Sequence, residues 1–202
     1  PELVARVDTA GTGVRTVALP AHPTLAAGPG GPIPYELRVA PDGVVWMSEL
    51  HGNRMIAHDP RDGTSRAFDL PEPHMGPRRL DVDARGVLWI PAYAAGALVR
   101  LDPRATGAAR YRTYPLPVRD AVPYVARVDA RTGAVWIGTA AGDVALRFDP
   151  RAERFAAYPL PSRGALVRHL AIDPRSGDVW LAYGASPGIA ARIARLRPLP
   201  SP

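Results

Sequence analysis

Residues 34–71 read PYELRVAPDGVVWMSELHGNRMIAHDPRDGTSRAFDLP, and the order of signals in this stretch recurs along the chain, twice in full and a third time without its last segment. An alternating segment ends in a polar turn, ELRVAPDG. A Gly-led strand carrying a tryptophan follows, GVVWMSE. A third strand closes on Asp-Pro, NRMIAHDP, and a fourth ends on Leu-Pro, RAFDLP. The later copies of the first segment are RLDVDARG, ARVDARTG and HLAIDPRSG, and those of the second are GVLWIPA, GAVWIGT and GDVWLAY. ALVRLDP and VALRFDP repeat the third, and YRTYPLP and FAAYPLP the fourth. Trp46, Trp89, Trp136 and Trp180 are therefore 43, 47 and 44 residues apart, close to the period of about 40 to 50 residues of a propeller blade.

Period-two alternation over five to seven residues, bounded by Gly, Asp and Pro turns, predicts half-buried strands joined as a meander. Proline after each fourth strand cannot donate to a ladder, so it belongs at the outer edge. Each repeat then reads as one four-stranded blade, from an inner strand A to an outer strand D, and the class is all-β. With 24 Pro and 19 Gly in 202 residues, no segment sustains a helical apolar period. One tryptophan per blade, always on strand B, fits a packing wedge between adjacent blades.

Blades are expected at 33–73, 74–118, 119–162 and 163–198, the last lacking its own strand D. Residues 1–20, PELVARVDTAGTGVRTVALP, repeat the C and D pattern of a further blade, and 21–32 form a flexible Gly/Pro connector. About seventeen strands result. Two closures are open: the chain is the C-terminal part of a six- or seven-bladed ring, or VRTVALP completes the last blade of a four-bladed one.

Composition narrows the function. There is no cysteine, which excludes disulfides, thiolate metal sites and cysteine nucleophiles. The formal charge of +6 comes entirely from arginine, in a chain with no lysine, no glutamine and one asparagine, Asn53, the coding bias of a GC-rich genome. The arginines sit beside Asp in turns such as Asp59-Pro60-Arg61, without a basic run or interleaved stacking aromatics, so no nucleic-acid partner is expected. No apolar run reaches the roughly 18 to 20 residues of a membrane span, and no leader is legible at the start.

The pattern Pro-x-x-[LIV]-x-V-x-P-D-G-x-x-W-x-[ST]-E-x-x-x-N-[RK]-[IM], followed by Asp-Pro and Leu-Pro, resembles the blade signature of the streptogramin (virginiamycin B) lyase family; residues 34–71 match it best. The resemblance implies a bacterial, exported protein, periplasmic or extracellular, with chemistry on the top face of the ring. There a histidine base and Mg2+ held by carboxylates would open a cyclic depsipeptide by elimination at an ester. The family's histidine stands where strand A begins and its glutamate where strand B ends.

At the first of these positions this chain has Tyr35, Arg78, Tyr124 and Arg168, and at the second Glu49, Ala92, Thr139 and Tyr183. His51 near Glu49 makes this pair the acid/base candidate, while His22, His58 and His74 lie in connectors or outer strands. Loops joining D to the next A, and B to C, emerge on one face. Tyr35, Glu36, Glu49, His51, Arg78, Arg79, Tyr93, Tyr124, Arg168, His169 and Tyr183 are expected to ring that mouth. An Arg- and Tyr-rich rim suits a small polar or anionic ligand, guanidinium forks taking carboxylate or phosphate. Two functions remain: a lyase or hydrolase acting on a small ester or lactone, or a non-catalytic propeller that binds a ligand or a protein partner. Streptogramin-opening activity is expected to be slight or nil.

Overall fold

The computed structural model describes residues 2–184 and 190–197. Among them are seventeen strands in five antiparallel sheets. A hairpin of β1 (Leu3–Val7) and β2 (Val14–Ala18) precedes three four-stranded blades. The first contains β3 (Pro34–Val39), β4 (Val45–Glu49), β5 (Arg54–His58) and β6 (Ser65–Asp69). The second contains β7 (Asp81–Val82), β8 (Leu88–Ala92), β9 (Ala97–Leu101) and β10 (Tyr111–Pro115). The third contains β11 (Val122–Val128), β12 (Val135–Ala141), β13 (Val144–Asp149) and β14 (Arg154–Pro159). A three-stranded sheet, β15 (Val167–Ile172), β16 (Val179–Tyr183) and β17 (Arg192–Leu196), ends the series. Strands within each blade pair in sequence order, the meander of a propeller. No helix among the described residues is long and apolar enough to cross a membrane.

Blade-on-blade packing is the core. Trp46 and Met55 of the first blade meet Leu80, Leu88, Ile90 and Val99 of the second. Trp89 and Leu98 meet Ile137, Leu146 and Phe148 of the third, and Trp136 meets Val167, Leu170 and Leu181 of the last sheet. Strands B and C are covered on both faces, which is why β4, β5, β8 and β12 are almost continuously buried, whereas the outer β6 and β14 are mostly exposed. Gly138 belongs to this fit: a Cβ there would lie 2.5 Å from a methyl of Val167 in the neighbouring sheet.

All four tryptophans sit on strand B, paired across to strand A residues Arg38, Asp81, Arg127 and Ala171. Three are 1 to 3% exposed, but Trp180 is 42% exposed. The expectation of burial fails for Trp180 because no blade among the described residues covers its side of β16, whose residues alternate between buried and exposed. The wedge role is thereby confirmed by its exception.

The hairpin lies on the first blade as an outer pair would, with Val4 and Leu19 against Met47 and Ile56. Among the described residues β2 pairs with β1 alone and β17 with β16 alone, so VRTVALP does not pair with the last sheet there. Pro198, where that blade was expected to end, lies outside the described residues.

The connector is held at its start by polar bonds. The buried Arg54 donates to the carbonyls of Pro20, at 2.7 Å, and Ala21, at 3.3 Å. The His22 ring accepts the backbone N–H groups of Thr24 and Leu25 at Nδ1, leaving Nε2–H to donate to the Gly52 carbonyl at 3.0 Å. Polar partners of this kind hold a segment that has little apolar surface to bury.

Candidate functional site

A proline precedes three of the four positions that open strand A, and it has no N–H to give the ladder. At each of the four the register slips. It passes from Pro34↔Glu49 to Glu36↔Ser48, from Pro123↔Thr139 to Val125↔Gly138, and from Val167↔Tyr183 to His169↔Ala182, which leaves Tyr35, Tyr124 and Arg168 unopposed. In the second blade the bridge Pro77↔Ala92 precedes the pair Asp81↔Trp89, four steps on strand A against three on strand B. Such bulges re-aim side chains and gather at functional rims. Here each bulge carries a Tyr or an Arg.

Five of the expected residues assemble there. The Tyr35 and Tyr124 hydroxyls are hydrogen-bonded to each other, and the Tyr124 ring stands edge-on to Tyr35 and Tyr93 with centroids 6.3 and 6.0 Å apart. The Arg78 guanidinium lies over Tyr93 at 4.3 Å and over Tyr35 at 5.5 Å, while that of Arg79 lies over Tyr35 at 5.4 Å. Burial, reinforced by the bond to Tyr124, raises the Tyr35 phenol above its usual range, so it stays a neutral hydroxyl. Arg79 also joins two blades through the backbone: its N–H donates to the Tyr124 carbonyl at 3.1 Å, and its carbonyl accepts from Ala126 at 2.8 Å.

Beneath the tyrosines, Glu36 holds three arginines. Arg38 reaches it at 2.7 Å, Arg79 at 2.8 Å and Arg127 at 3.1 Å, and Arg38 also lies 3.4 Å from Asp81. Arg127 is fixed further by the carbonyls of Leu80 and Ala126, at 3.0 and 2.7 Å. Sequence reading missed Arg38, Asp81 and Arg127. The signal was present: they occupy one equivalent place, three residues after the opening of strand A, in ELRV, RLDV and ARVD. That place and the one two residues before it share a face of the innermost strand.

Arg168, His169 and Tyr183 form a separate group on the last sheet, lining a cavity of about 410 Å³ with Arg192 and Ile193. Burial, then the nearby Arg127 and Arg79, lower the His169 imidazole, so this ring is neutral at pH 7 and feels the positive charge of the mouth. Tyr183 is buried and its hydroxyl meets Ser162 at 3.3 Å.

Glu49 and His51 are elsewhere in purpose. Glu49 is fully buried, and both its oxygens accept from Arg54, through Nε and, at 3.2 Å, through Nη2. The His51 Nδ1 is engaged with the Gly31 carbonyl at 3.1 Å, so this ring helps to hold the connector. No hydrogen bond or ion pair joins either residue to the Arg/Tyr cluster among the described residues.

No protein-family model matches this sequence, and no curated protein matches it. Among solved structures, the chain is similar to virginiamycin B lyase from Staphylococcus aureus, with a TM-score of 0.76 at 17% identity over 98% of this chain and 64% of that one. A streptogramin B lyase gives the same TM-score at 20% identity, with 98% and 63% coverage. A putative 6-phosphogluconolactonase from Bacteroides uniformis gives 0.64 at 12% identity, with 96% and 64% coverage. The extracellular domain of a putative hybrid two-component system from B. thetaiotaomicron gives 0.56 at 16% identity over 76% of this chain and 20% of that one. The chain thus spans just under two thirds of the length of the lyases.

The magnesium site implied by the lyase resemblance was tested on the donors present. Glu49, which stands where the family glutamate would, has its oxygens taken by Arg54, and Glu36 is shared by three arginines. No three His, Asp or Glu side chains come together among the described residues. The donor set does not fit the ion. What the chain shares with the streptogramin lyases is the fold: four-stranded propeller blades strung in the same order.

Proposed function

We propose that this chain is a ligand-binding propeller whose mouth takes a small anionic molecule at Arg78, walled by Tyr35, Tyr93 and Tyr124. The observation that carries this reading is the state of Arg78. Its guanidinium is stacked on a tyrosine, half-buried, and has no carboxylate partner among the described residues. A planar cation held by an aromatic face keeps its N–H fork pre-set for a carboxylate or phosphate edge. The commitment of Glu49 and His51 to the connector favours binding over acid/base chemistry. The likeness to the extracellular domain of a putative hybrid two-component system supports an exported protein, periplasmic or extracellular, in which the propeller serves as a rigid recognition module.

Titration with benzoate, followed by calorimetry at low ionic strength, tests the site. Arg78→Ala should weaken binding by about 1.5 to 3 kcal/mol per lost charge-assisted hydrogen bond, with melting temperature nearly unchanged. Arg78→Lys should recover only part of the loss, because an ammonium cannot present a fork. Equal affinity in wild type and Arg78→Ala would remove the site from the mouth. Magnesium-dependent opening of a streptogramin B by the purified chain would replace the binding reading with a catalytic one.

A further inference from the structure

The mouth holds more positive charge than its own carboxylates balance. Among the described residues Arg78 has no acidic partner, and nearby Arg38, Arg79 and Arg127 share Glu36 and Asp81. Four guanidiniums therefore face two carboxylates among the described residues. Of the lower three, Arg79 is the least satisfied. It gives Glu36 one Nη, its Nε–H is buried without any acceptor, and its side chain remains 33% exposed. Arg38 is divided between Glu36 and Asp81, and Arg127 is taken up by Glu36 and two carbonyls. A half-buried cation short of an acceptor is raised in free energy, and an anion's oxygens relieve it.

The two undersatisfied arginines are also neighbours in space. Tyr35 carries the Arg78 guanidinium 5.5 Å from its ring centroid and that of Arg79 at 5.4 Å. Both guanidiniums thus lie within 5.5 Å of the centre of one ring. The His169 imidazole, lowered first by burial and then by Arg127 and Arg79, lies within reach of the same arginines.

We infer that the ligand of this mouth is a small dianion, one of its charges taken by Arg78 and the other by Arg79. The inference rests on the anion-binding reading above and narrows it. Two charges on a dicarboxylate and two on a phosphate monoester satisfy the same pair of forks, and the probes separate them.

Calorimetry at low ionic strength and pH 7 compares succinate and methyl phosphate with monomethyl succinate, the matched monoanion. At least one dianion should bind about tenfold or more tightly than the monoanion, the worth of one added charge-assisted contact. The tighter of the two identifies the source of the charge. Arg79→Gln should collapse that ratio to about twofold or less, whereas Arg78→Gln should weaken all three probes. Equal affinity for mono- and dianions in the wild-type chain overturns the inference while leaving the anion site standing. Failure of all three to bind overturns both. The wild-type comparison decides the matter even if Arg79→Gln does not fold, and an undiminished ratio in a folded Arg79→Gln would also overturn it.

Discussion

A tryptophan on strand B is worth what the next blade lays over it. Full burial of an indole removes about 150 to 250 Å² from water, an upper bound of about 4 to 6 kcal/mol at about 25 cal/mol/Å². Trp89 has this environment, against Phe148 at 5.7 Å and Tyr114 at 6.4 Å between centroids. Trp180 is 42% exposed, with Arg195 over its ring at 5.4 Å. Trp89→Ala should therefore cost about 3 to 5 kcal/mol in denaturant unfolding and Trp180→Ala about 1 or less. Similar losses at both sites would contradict the wedge role. The pair of Glu49 and Arg54 obeys a different rule, because removing one partner of a buried ion pair strands the other. Arg54→Met should destabilise by about 3 to 5 kcal/mol and free the connector at Pro20 and Ala21, and adding Glu49→Gln should recover much of that loss. A double variant no more stable than the single would mean that Arg54 acts mainly through the two carbonyls.

Each of the three four-stranded blades carries a clasp that joins its B–C turn to the end of its strand D. Asn53, Gly96 and Asp143 all have positive φ, at 52°, 60° and 49°, and their carbonyls accept from Leu70, Leu116 and Leu160, the leucine of each Leu-Pro. Asn53 and Asp143 add a side-chain bond to the segment that leads into the next blade, at Met75 and Ala165. Gly96 lacks this bond, and a Cβ there meets nothing nearer than the Ala121 carbonyl at 3.8 Å. Gly96→Asn should raise stability by about 0.5 to 1 kcal/mol through the new bond and a less mobile unfolded chain, read as a shift in urea midpoint. Gly96→Val should lower it, since a β-branched residue resists positive φ. Gly96→Asn falling below Gly96→Ala would show that the clasp cannot be copied. The strand order and the positions opening strand A were legible because turn residues and tryptophans repeat locally. The Glu36 hub was not, because its partners Arg79 and Arg127 come from other blades, 43 and 91 residues away. Glu49 misled for a related reason: it stands directly opposite Arg54 in the ladder, so its nearest cation was on its own hairpin.

At the scale of the whole molecule, the face opposite the mouth is a row of repeated turns, and it sets the response to acid. Asp59, Asp149 and Asp173 each accept the backbone N–H two residues on, at 2.9, 2.9 and 2.8 Å. The bonds from Arg61, side chain first and then backbone, bring Asp59 to about 2 from the usual 3.8. Backbone bonds are the main cause that lowers Asp149, from Arg151 and Ala152, and Asp173, from Arg175 and Ser176, with nearby arginines adding to both. A carboxyl with a lower pKa when folded than unfolded binds fewer protons in the native state across that interval. Its contribution is complete above the unfolded value and disappears as pH falls through the folded one. His169, also lowered, adds a shallower loss of the same sign as pH drops below the usual 6.5. Stability should thus decline slightly from pH 7 to 5 and steeply from about pH 4 to 2. Because Asn keeps the turn acceptor and cannot titrate, the triple variant Asp59→Asn, Asp149→Asn and Asp173→Asn should fold at pH 7 and show a flatter acid limb. Melting curves at half-unit steps compare the two. An acid limb as steep in the triple variant as in wild type would show that these turn aspartates are not the source of the sensitivity.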